Sequence, residues 1–385
     1  MWWSGQLTDD QLAIVTALDG LCSQHVTAKH CELWDREKTY PVDAMDALAA
    51  NSWAALAVPP AYGGEGASAQ DLCVVHMALA RHSLAVAQAY YSLWVLGAEA
   101  ISRLGTEEQR AQWLPRLAAG QARIAFALTE PGSGSDAAAL STRADADGDA
   151  LVISGQKVFI TGAAVADMIV TAVRTSSPGR KQDGLSLVMV DPRAAGVTIR
   201  PMDKIGLKAI DLCEVFYDNV RVPVTDVLGP LNGAWPALNA GLAKERLFLA
   251  AVCAGALFNL VDEVTTYAQN RKSFGVAIGS HQLIAAKIVR MRVAADASAG
   301  LVRNAAELLD SGDPLAAEAA SVAKLFASEA YVSAARDGVQ IFGGAGFTED
   351  VPVARHYRDC KYLEIGGGTS EVQTIVIGRG MGLPL

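Results

Sequence analysis

One stretch of sequence decides the fold: Phe126-Ala127-Leu128-Thr129-Glu130-Pro131-Gly132-Ser133-Gly134-Ser135-Asp136. Its second half is built from glycine and serine, so its backbone N–H groups can be approached closely and its hydroxyls can form hydrogen bonds. A loop of this kind can hold the anionic or polar edge of a cofactor. The Gly-Ser-Gly triplet alone would equally fit a plain tight turn, whereas the whole eleven-residue string is more specific.

The character of the chain changes on both sides of this loop. From residue 8 to 120, apolar residues recur at helical spacing, and Thr106 before Glu107 and Glu108 indicates a capped helix start. Short strand-like runs separated by turns follow from residue 123 to 231, which predicts a small antiparallel barrel or sandwich. Long Ala/Leu/Val segments then return, which predicts a four-helix bundle. We therefore expect three domains, at residues 1–122, 123–231 and 232–385.

Composition limits the kinds of partner. The chain has 385 residues and a formal net charge of −9 without a basic stripe, which argues against nucleic acid. The longest uncharged apolar stretch, residues 247–261, is too short for a membrane span and predicts a buried helix. The first residues lack a signal-peptide pattern, and six scattered cysteines favour buried free thiols over disulfides or a metal site. We expect a cytoplasmic protein without a metal ion.

Four further segments follow in a fixed order along the chain. They are Gly155-Gln156-Lys157-Val158-Phe159-Ile160-Thr161-Gly162, Arg271-Lys272-Ser273-Phe274-Gly275 with His281-Gln282, Gln340-Ile341-Phe342-Gly343-Gly344-Ala345-Gly346-Phe347, and Gly368-Thr369-Ser370-Glu371. Together with the glycine-serine loop, they resemble the motifs of the acyl-CoA dehydrogenase family over nearly the whole chain. Five motifs in the right order on a helical–β–helical chain make coincidence a poor explanation.

The resemblance implies an α+β fold with an N-terminal α-helical domain, a middle antiparallel β-barrel domain and a C-terminal four-helix bundle. It also implies FAD as the cofactor. In the family, the loop at 126–136 contacts the flavin ring and pyrophosphate, and the residue matching Thr161 hydrogen-bonds to N5. The segments at Arg271 and His281 bind the diphosphate, and the segment at Gln340 reaches a neighbouring subunit's flavin. The FAD contacts implied are Phe126, Leu128, Thr129, Gly134, Ser135, Phe159, Ile160, Thr161, Arg271, Ser273, Phe274, His281, Gln282, Gln340, Ile341, Gly343, Gly344, Thr369 and Glu371.

The base that dehydrogenation requires is not where many family members carry it. Removing a proton beside a thioester needs a carboxylate in a dry site and a polarised carbonyl. Many relatives place that carboxylate in a Tyr-Glu-Gly-Thr string, but here the matching string is Gly366-Gly367-Gly368-Thr369, so Gly367 stands at the expected position. The resemblance still gives Gly367 a role, because its backbone N–H would polarise the thioester carbonyl.

Glu245 is the candidate replacement. At 3.6 residues per turn it shares a face with Leu242, Leu249, Val252 and Ala256, so it is a carboxylate on an otherwise apolar stripe. Burial raises the pKa of a glutamate toward that of a useful base. The alternative is a structural ion pair with Lys244, Arg246 or another partner. The sequence here is similar to the isovaleryl- and long-chain-type dehydrogenases, which carry their base on this helix; this favours Glu245 as the base.

The acyl group should be short or branched. Family members usually carry small residues where this chain has Tyr90-Tyr91-Ser92-Leu93-Trp94, and large rings at Tyr91 and Trp94 would shorten the pocket. Trp94 could instead pack between helices. The substrate contacts expected are Ser135, Tyr91, Trp94, Arg246 and Gly368.

The resemblance leaves several functional alternatives open. The thioester could be carried by CoA or by an acyl-carrier protein, and an electron-transfer flavoprotein is the implied acceptor. Because the family's FAD sites lie between subunits, we expect a homotetramer or homodimer. The chain also resembles polyketide-pathway dehydrogenases of allylmalonyl extender-unit biosynthesis, which remove a γ-proton from a 2-enoyl thioester and form a terminal alkene. More remote alternatives are a flavin monooxygenase and a non-catalytic thioester-binding homologue.

Overall fold

The computed structural model describes residues 7–177 and 179–384. Its N-terminal region is helical, and threonines begin several of its helices. Thr106 caps the helix that follows it, as predicted, because its hydroxyl accepts from the Gln109 N–H at 3.2 Å while the Gln109 side chain accepts from the Thr106 N–H at 3.0 Å. The helices are α1 (Asp9–His25), α2 (Ala28–Glu37), α3 (Val42–Ala50), α4 (Ala69–His82), α5 (Leu84–Tyr90), a π-helical segment (Tyr91–Val95), α6 (Leu96–Leu104) and α7 (Glu107–Ala118).

The middle region is one eight-stranded sheet. Its strands are β1 (Ile124–Ala127), β2 (Arg143–Asp147), β3 (Ala150–Thr161), β4 (Met168–Arg174), β5 (Leu185–Val190), β6 (Val197–Pro201), β7 (Leu212–Pro223) and β8 (Val227–Leu228). They follow the order β6-β7-β3-β2-β4-β5-β8, with β1 paired to β4. Most pairs are antiparallel, as expected, whereas β1 and β2 each meet β4 in parallel.

The C-terminal region is a bundle around one long helix. It contains α8 (Trp235–Asn270), the short hairpin β9 (Lys272–Ser273) and β10 (Val276–Ala277), α9 (Gln282–Asp310), α10 (Ala316–Phe342), α11 (Pro352–Ile365) and α12 (Ser370–Gly380). Helix α8 packs against α4, α9 and α10. At Gly255 it approaches α4 so closely that a Cβ would lie 2.2 Å from the Met77 carbonyl oxygen. This contact joins the two helical regions into one core.

The most apolar helical segments lie inside this core. Two of them, Leu84–Leu104 and Trp235–Asn270, are long and apolar enough to cross a membrane, but 89% and 83% of their most apolar windows are buried inside the protein. That burial is typical of core helices. The structure thus confirms the predicted order of a helical, a β and a second helical region, and all six cysteines are buried free thiols.

Candidate active site

A cavity of about 840 Å³ lies where the three regions meet. Its walls come from the π-helical segment and α6, the loop after β1, the end of β3, the first half of α8, and the turn between α11 and α12. Most sequence-predicted site residues line it. They are Tyr91, Phe126, Leu128, Thr129, Gly134, Ser135, Phe159, Ile160, Thr161, Glu245, Arg246, Gly367, Gly368 and Thr369.

Two other predicted groups lie outside this cavity. The first, on the β9–β10 hairpin and the start of α9, comprises Arg271, Ser273, Phe274, His281 and Gln282; the second, at the end of α10, comprises Gln340, Ile341, Gly343 and Gly344. Glu371 is exposed on the first turn of α12 and is also not a wall residue. Phe274 is 95% exposed, so the hairpin presents an apolar ring to its surroundings. Within one chain, the structure does not bring these groups to the cavity.

Trp94 departs from the expectation that it faces the pocket. The segment Tyr91–Val95 is π-helical, with the Leu96 N–H bonded to the Tyr91 carbonyl, and this wider turn changes which side chains point the same way. Trp94 is only 2% exposed and its ring meets that of Tyr90 edge-on at 5.8 Å between centroids. It packs in the N-terminal core and does not line the cavity, whereas Tyr91 does.

A buried ion pair braces the glycine-serine loop. The Lys157 ammonium lies 2.8 Å from Glu130 Oε1 and 2.9 Å from the Leu128 carbonyl oxygen. The Glu130 carboxylate also accepts from both the N–H and the hydroxyl of Ser141 and from the Thr142 N–H, at 2.6 to 2.8 Å. Burial alone would raise the pKa of Glu130, but Lys157 and these donors lower it to about 2. The carboxylate is therefore ionised at neutral pH and fixes the base of the loop.

The outer part of the same loop is open. A Cβ added at Gly132 or Gly134 would meet no atom of the described residues within 4 Å, so these glycines are not required by packing within that part of the chain. Opposite them, β3 shifts its register between Lys157 and Ile160, and Phe159 takes a positive φ of 61° that leaves its side chain 55% exposed. An exposed ring on a strained backbone beside a hydroxyl-rich loop suits a planar cofactor with a polar edge. These residues fit the ring of FAD.

Glu245 lies on the cavity wall in the first half of α8. Burial raises its pKa to about 7, against the opposing charges of Arg246 and Lys324. Among the described residues, no group donates a hydrogen bond to its carboxylate. A carboxylate held in this way can both take up and release a proton near neutral pH.

Gly367 lies directly beside Glu245. It has a positive φ of 65°, and a Cβ at this position would lie 3.5 Å from Glu245 Cγ and 2.6 Å from Leu249 Cδ1. The two alternative positions for a catalytic carboxylate, on α8 and in the turn before α12, therefore converge on one spot. Because Gly367 has no side chain, only the Glu245 carboxylate occupies this position.

Lys324 is a site residue that was not among the sequence-predicted ones. It is fully buried on α10 and donates to the Gly368 carbonyl oxygen at 2.6 Å and to the Glu364 carbonyl oxygen at 3.1 Å. It thus fixes the turn that carries Gly367 while placing a positive charge near Glu245. A signal was present in the sequence, since Lys324 shares a helical face with the buried Ala320, Ala323 and Ala327.

Three family descriptions match the chain in succession: the N-terminal, middle and C-terminal domains of acyl-CoA dehydrogenase, at residues 8–121, 125–220 and 232–382. Among similar proteins, a 3-(aryl)acrylate reductase of Clostridium sporogenes is 36% identical over 351 residues, covering 90% of this chain and 92% of that one. The mitochondrial isovaleryl-CoA dehydrogenase of Pongo abelii is 33% identical over 328 residues, covering 84% and 77%.

Solved structures agree over almost the full length. Butyryl-CoA dehydrogenase from Megasphaera elsdenii superposes with a TM-score of 0.93 at 28% identity, covering 98% of this chain and 99% of that one. The prolyl acyl carrier protein oxidase AnaB gives 0.92 at 26% identity, covering 98% and 100%. PigA, solved with FAD and proline, gives 0.91 at 25% identity, covering 98% and 99%.

The fold and the cavity define an oxidoreductase that acts on CH–CH groups. The chain belongs to the acyl-CoA dehydrogenase family. It is an FAD flavoprotein, and its reaction type is the oxidation of acyl thioesters.

Proposed function

We propose that this enzyme dehydrogenates a short or branched acyl thioester to the enoyl thioester, with Glu245 as the base. One observation carries the proposal. The space that a side chain at position 367 would occupy lies against the Glu245 carboxylate, on the wall of the cavity that also holds the flavin-type loop.

Three residues of the cavity wall would have separate roles in this reaction. Glu245 takes the proton from the carbon next to the thioester carbonyl, and its pKa of about 7 lets it do so near neutral pH. The turn at Gly367 contributes a backbone N–H, for which no acceptor exists among the described residues, so it is available to the carbonyl oxygen. Arg246 lines the same wall and is only 7% exposed, which places a fixed cation beside the base. Bound FAD would be the two-electron acceptor for the hydride that leaves the β-carbon.

The size of the acyl group is proposed from Tyr91. Its ring is 2% exposed and packs against Phe248 with 5.9 Å between centroids, one helical turn beyond Glu245 on α8. A large ring this close to the base limits the carbons that fit beyond it. A short or branched chain is therefore favoured over a long one.

The same short pocket supports a second candidate reaction. If the substrate were a five-carbon 2-enoyl thioester, Glu245 would remove the γ-proton, which is acidic through the conjugated carbonyl. The hydrogen on the δ-carbon would leave as hydride to the bound flavin, and the product would be a terminal alkene of the kind used as a polyketide extender unit. Reduction of the flavin by the 2-enoyl but not the saturated thioester would select this reaction. Trp94 does not help to shorten this pocket, because its ring does not reach the cavity.

We propose CoA or an acyl-carrier protein as the carrier of the thioester, because similar proteins are named for one or the other. Isovaleryl-CoA dehydrogenase and butyryl-CoA dehydrogenase are named for CoA thioesters, and AnaB for a prolyl carrier protein. Both carriers would present the acyl group on the same pantetheine arm. We further propose an electron-transfer flavoprotein as acceptor and a cytoplasmic location.

A homotetramer or homodimer is proposed from the two predicted groups outside the cavity. Phe274 and Phe347 are 95% and 93% exposed, and Leu283 on α9 is 83% exposed. These apolar side chains lie next to the predicted flavin-binding motifs, and a second copy of the chain would cover them. Sedimentation of the holoenzyme tests this, since a monomer at micromolar concentration would contradict it.

Anaerobic flavin bleaching tests the proposed reaction. Purified yellow protein is mixed with butyryl-, isovaleryl- or pentanoyl-CoA, and the absorbance of the oxidised flavin is followed. We expect bleaching with at least one saturated substrate, and a rate about 10²- to 10⁴-fold lower in Glu245→Gln, whose flavin content should be unchanged. Undiminished bleaching in that variant would refute Glu245 as the base.

A further inference from the structure

A cluster of neutral polar groups lies at the end of the cavity formed by α5 and the π-helical segment. Gln88 and Ser92 are four residues apart, and Gln88 Nε2 donates to Ser92 Oγ at 2.7 Å. Both are wall residues of the cavity and both are buried, at 2% and 7% exposure. Tyr91, between them in sequence, is a third wall residue. We call Gln88, Tyr91 and Ser92 the tail cluster.

Two polar atoms of the tail cluster have no partner among the described residues. They are Oε1 of Gln88, which can only accept, and the hydroxyl of Tyr91, which can donate. Buried polar atoms in folded proteins are nearly always paired, and an unpaired one is costly. An acceptor and a donor left unpaired on wall residues three positions apart, less than one helical turn, are suited to one ligand group that both donates and accepts.

The charges around the cluster disfavour an anionic ligand group. Burial raises the pKa of Tyr91, and the negative charges of Glu245 and Glu99 raise it further. The nearby cation Lys244 is already engaged, with its ammonium 2.6 Å from Glu99 Oε2. A carboxylate at the cluster would therefore meet the negative charges of Glu245 and Glu99, whereas Arg246, the cation beside Glu245, is not among the described charges that act on Tyr91. A neutral group is the better match.

We propose that the acyl group of the substrate carries an uncharged hydrogen-bonding group at its tail, a hydroxyl in the first instance, which donates to Gln88 Oε1 and accepts from the Tyr91 hydroxyl. The proposal rests on the proposed function, because it assumes that the acyl chain lies between Glu245 and the tail cluster. The expected substrates are then short ω-hydroxyacyl thioesters, a subset of the short acyl thioesters proposed above.

Binding of unreactive analogues tests the proposal separately from catalysis. In the thioethers S-(5-hydroxypentyl)-CoA and S-hexyl-CoA, a methylene replaces the thioester carbonyl, and the two differ only by a terminal hydroxyl in place of a methyl. Titration calorimetry on the holoenzyme gives both dissociation constants. We expect the hydroxyl compound to bind at least about tenfold more tightly, because the methyl compound would leave both buried polar atoms unpaired.

Substitutions in the tail cluster test whether it causes the tighter binding of the hydroxyl compound. Tyr91→Phe and Gln88→Met keep the side-chain volumes, and each should bring the ratio of the two dissociation constants toward one. Tyr90→Phe is the matched control, because the Tyr90 hydroxyl donates to the Trp53 carbonyl at 2.9 Å away from the cavity wall, and its ratio should equal that of the wild type.

The possible results distinguish a failure of the proposed polar acyl tail from a failure of the proposed dehydrogenation. Tighter binding of S-hexyl-CoA, or a ratio that Tyr91→Phe and Gln88→Met leave unchanged, would overturn the polar tail and mean that water alone satisfies the two atoms. Flavin bleaching by a saturated acyl-CoA would then still stand as support for the reaction. A failure to bleach with any saturated thioester, by contrast, would overturn the proposed function and leave the thioether result as a statement about binding only.

Discussion

Two glutamates at this site show how the surroundings of one side chain decide its role. Glu130 lies under the glycine-serine loop and its carboxylate accepts four hydrogen bonds, one of them from the buried Lys157 ammonium. Glu245 lies across the cavity on α8, where no described group donates to it. Burial acts on both, yet the pKa is lowered to about 2 at Glu130 and raised to about 7 at Glu245. The difference comes from the charge of Lys157 and from the hydrogen-bond donors around Glu130, which together stabilise its ionised form.

Glu130 is a structural carboxylate, whereas Glu245 is the one proposed to react. Glu130 keeps its charge at every physiological pH and holds the loop in place. Glu245 is near its pKa at neutral pH, so a proton can enter and leave with little free-energy cost. Its two cationic neighbours, Arg246 and Lys324, act at a distance and only partly offset the effect of burial.

The largest expected effect follows from removing the partner of Glu130. Lys157→Met leaves an ionised carboxylate buried without its cation, which should lower the free energy of unfolding by about 3–5 kcal/mol and weaken flavin retention. Urea unfolding of the holoenzyme measures the first and flavin absorbance after gel filtration the second. The control is Lys181→Met, since the Lys181–Asp136 pair is half exposed and should contribute about 0–1 kcal/mol. Equal losses in the two variants would contradict the bracing role.

A smaller effect should follow from moving the base across the gap. Glu245→Ala alone removes the proposed base, and the added change Gly367→Glu supplies a carboxylate from a Cβ position that lies 3.5 Å from the former Glu245 Cγ. We expect the double variant to recover roughly tenfold in flavin-reduction rate over Glu245→Ala, out of the 10²–10⁴ that a general base contributes. Recovery is partial because position 367 has a positive φ and faces Leu249. A double variant slower than Glu245→Ala would show that the two positions are not equivalent.

The smallest expected effect is the pH dependence of stability, which has opposite signs at the two glutamates. Glu245 has a folded-state pKa raised from 4.5 to about 7, so the folded protein binds this proton more tightly, and stability falls as pH rises between these values. Glu245→Gln should therefore melt a few degrees higher than wild type at pH 8, with no gain at pH 4. At Glu130 the folded-state pKa is lowered, so its contribution is present above pH 4.5 and Glu130→Gln should melt lower at pH 8. Thermal melts at the two pH values measure both, and equal signs would contradict the contrast.

The parts of the molecule that could be predicted from sequence are those fixed by local pattern. The order of regions was predicted from helical spacing, the Thr106 cap and the glycine-serine loop. The apolar face of α8 identified Glu245 as a carboxylate among apolar residues. The role of Lys324 was not predicted, because its partners are backbone carbonyls 40 and 44 residues away. The expectation for Trp94 rested on the resemblance to the family and was wrong, because the chain is π-helical at Tyr91–Val95 and the Trp94 ring packs in the N-terminal core.

The most direct measurement is the pH dependence of single-turnover flavin reduction by a saturated acyl thioester, because it reads the ionisation of the base itself. With Glu245 as the base, the rate should rise about tenfold per pH unit in acid and level off near pH 7, as its carboxylate loses its proton. In Lys324→Met the midpoint should move to higher pH, because the cation that lowers the pKa of Glu245 is gone. A rate that is flat from pH 5.5 to 8.5, or a midpoint that persists unchanged in Glu245→Gln, would show that another group removes the proton.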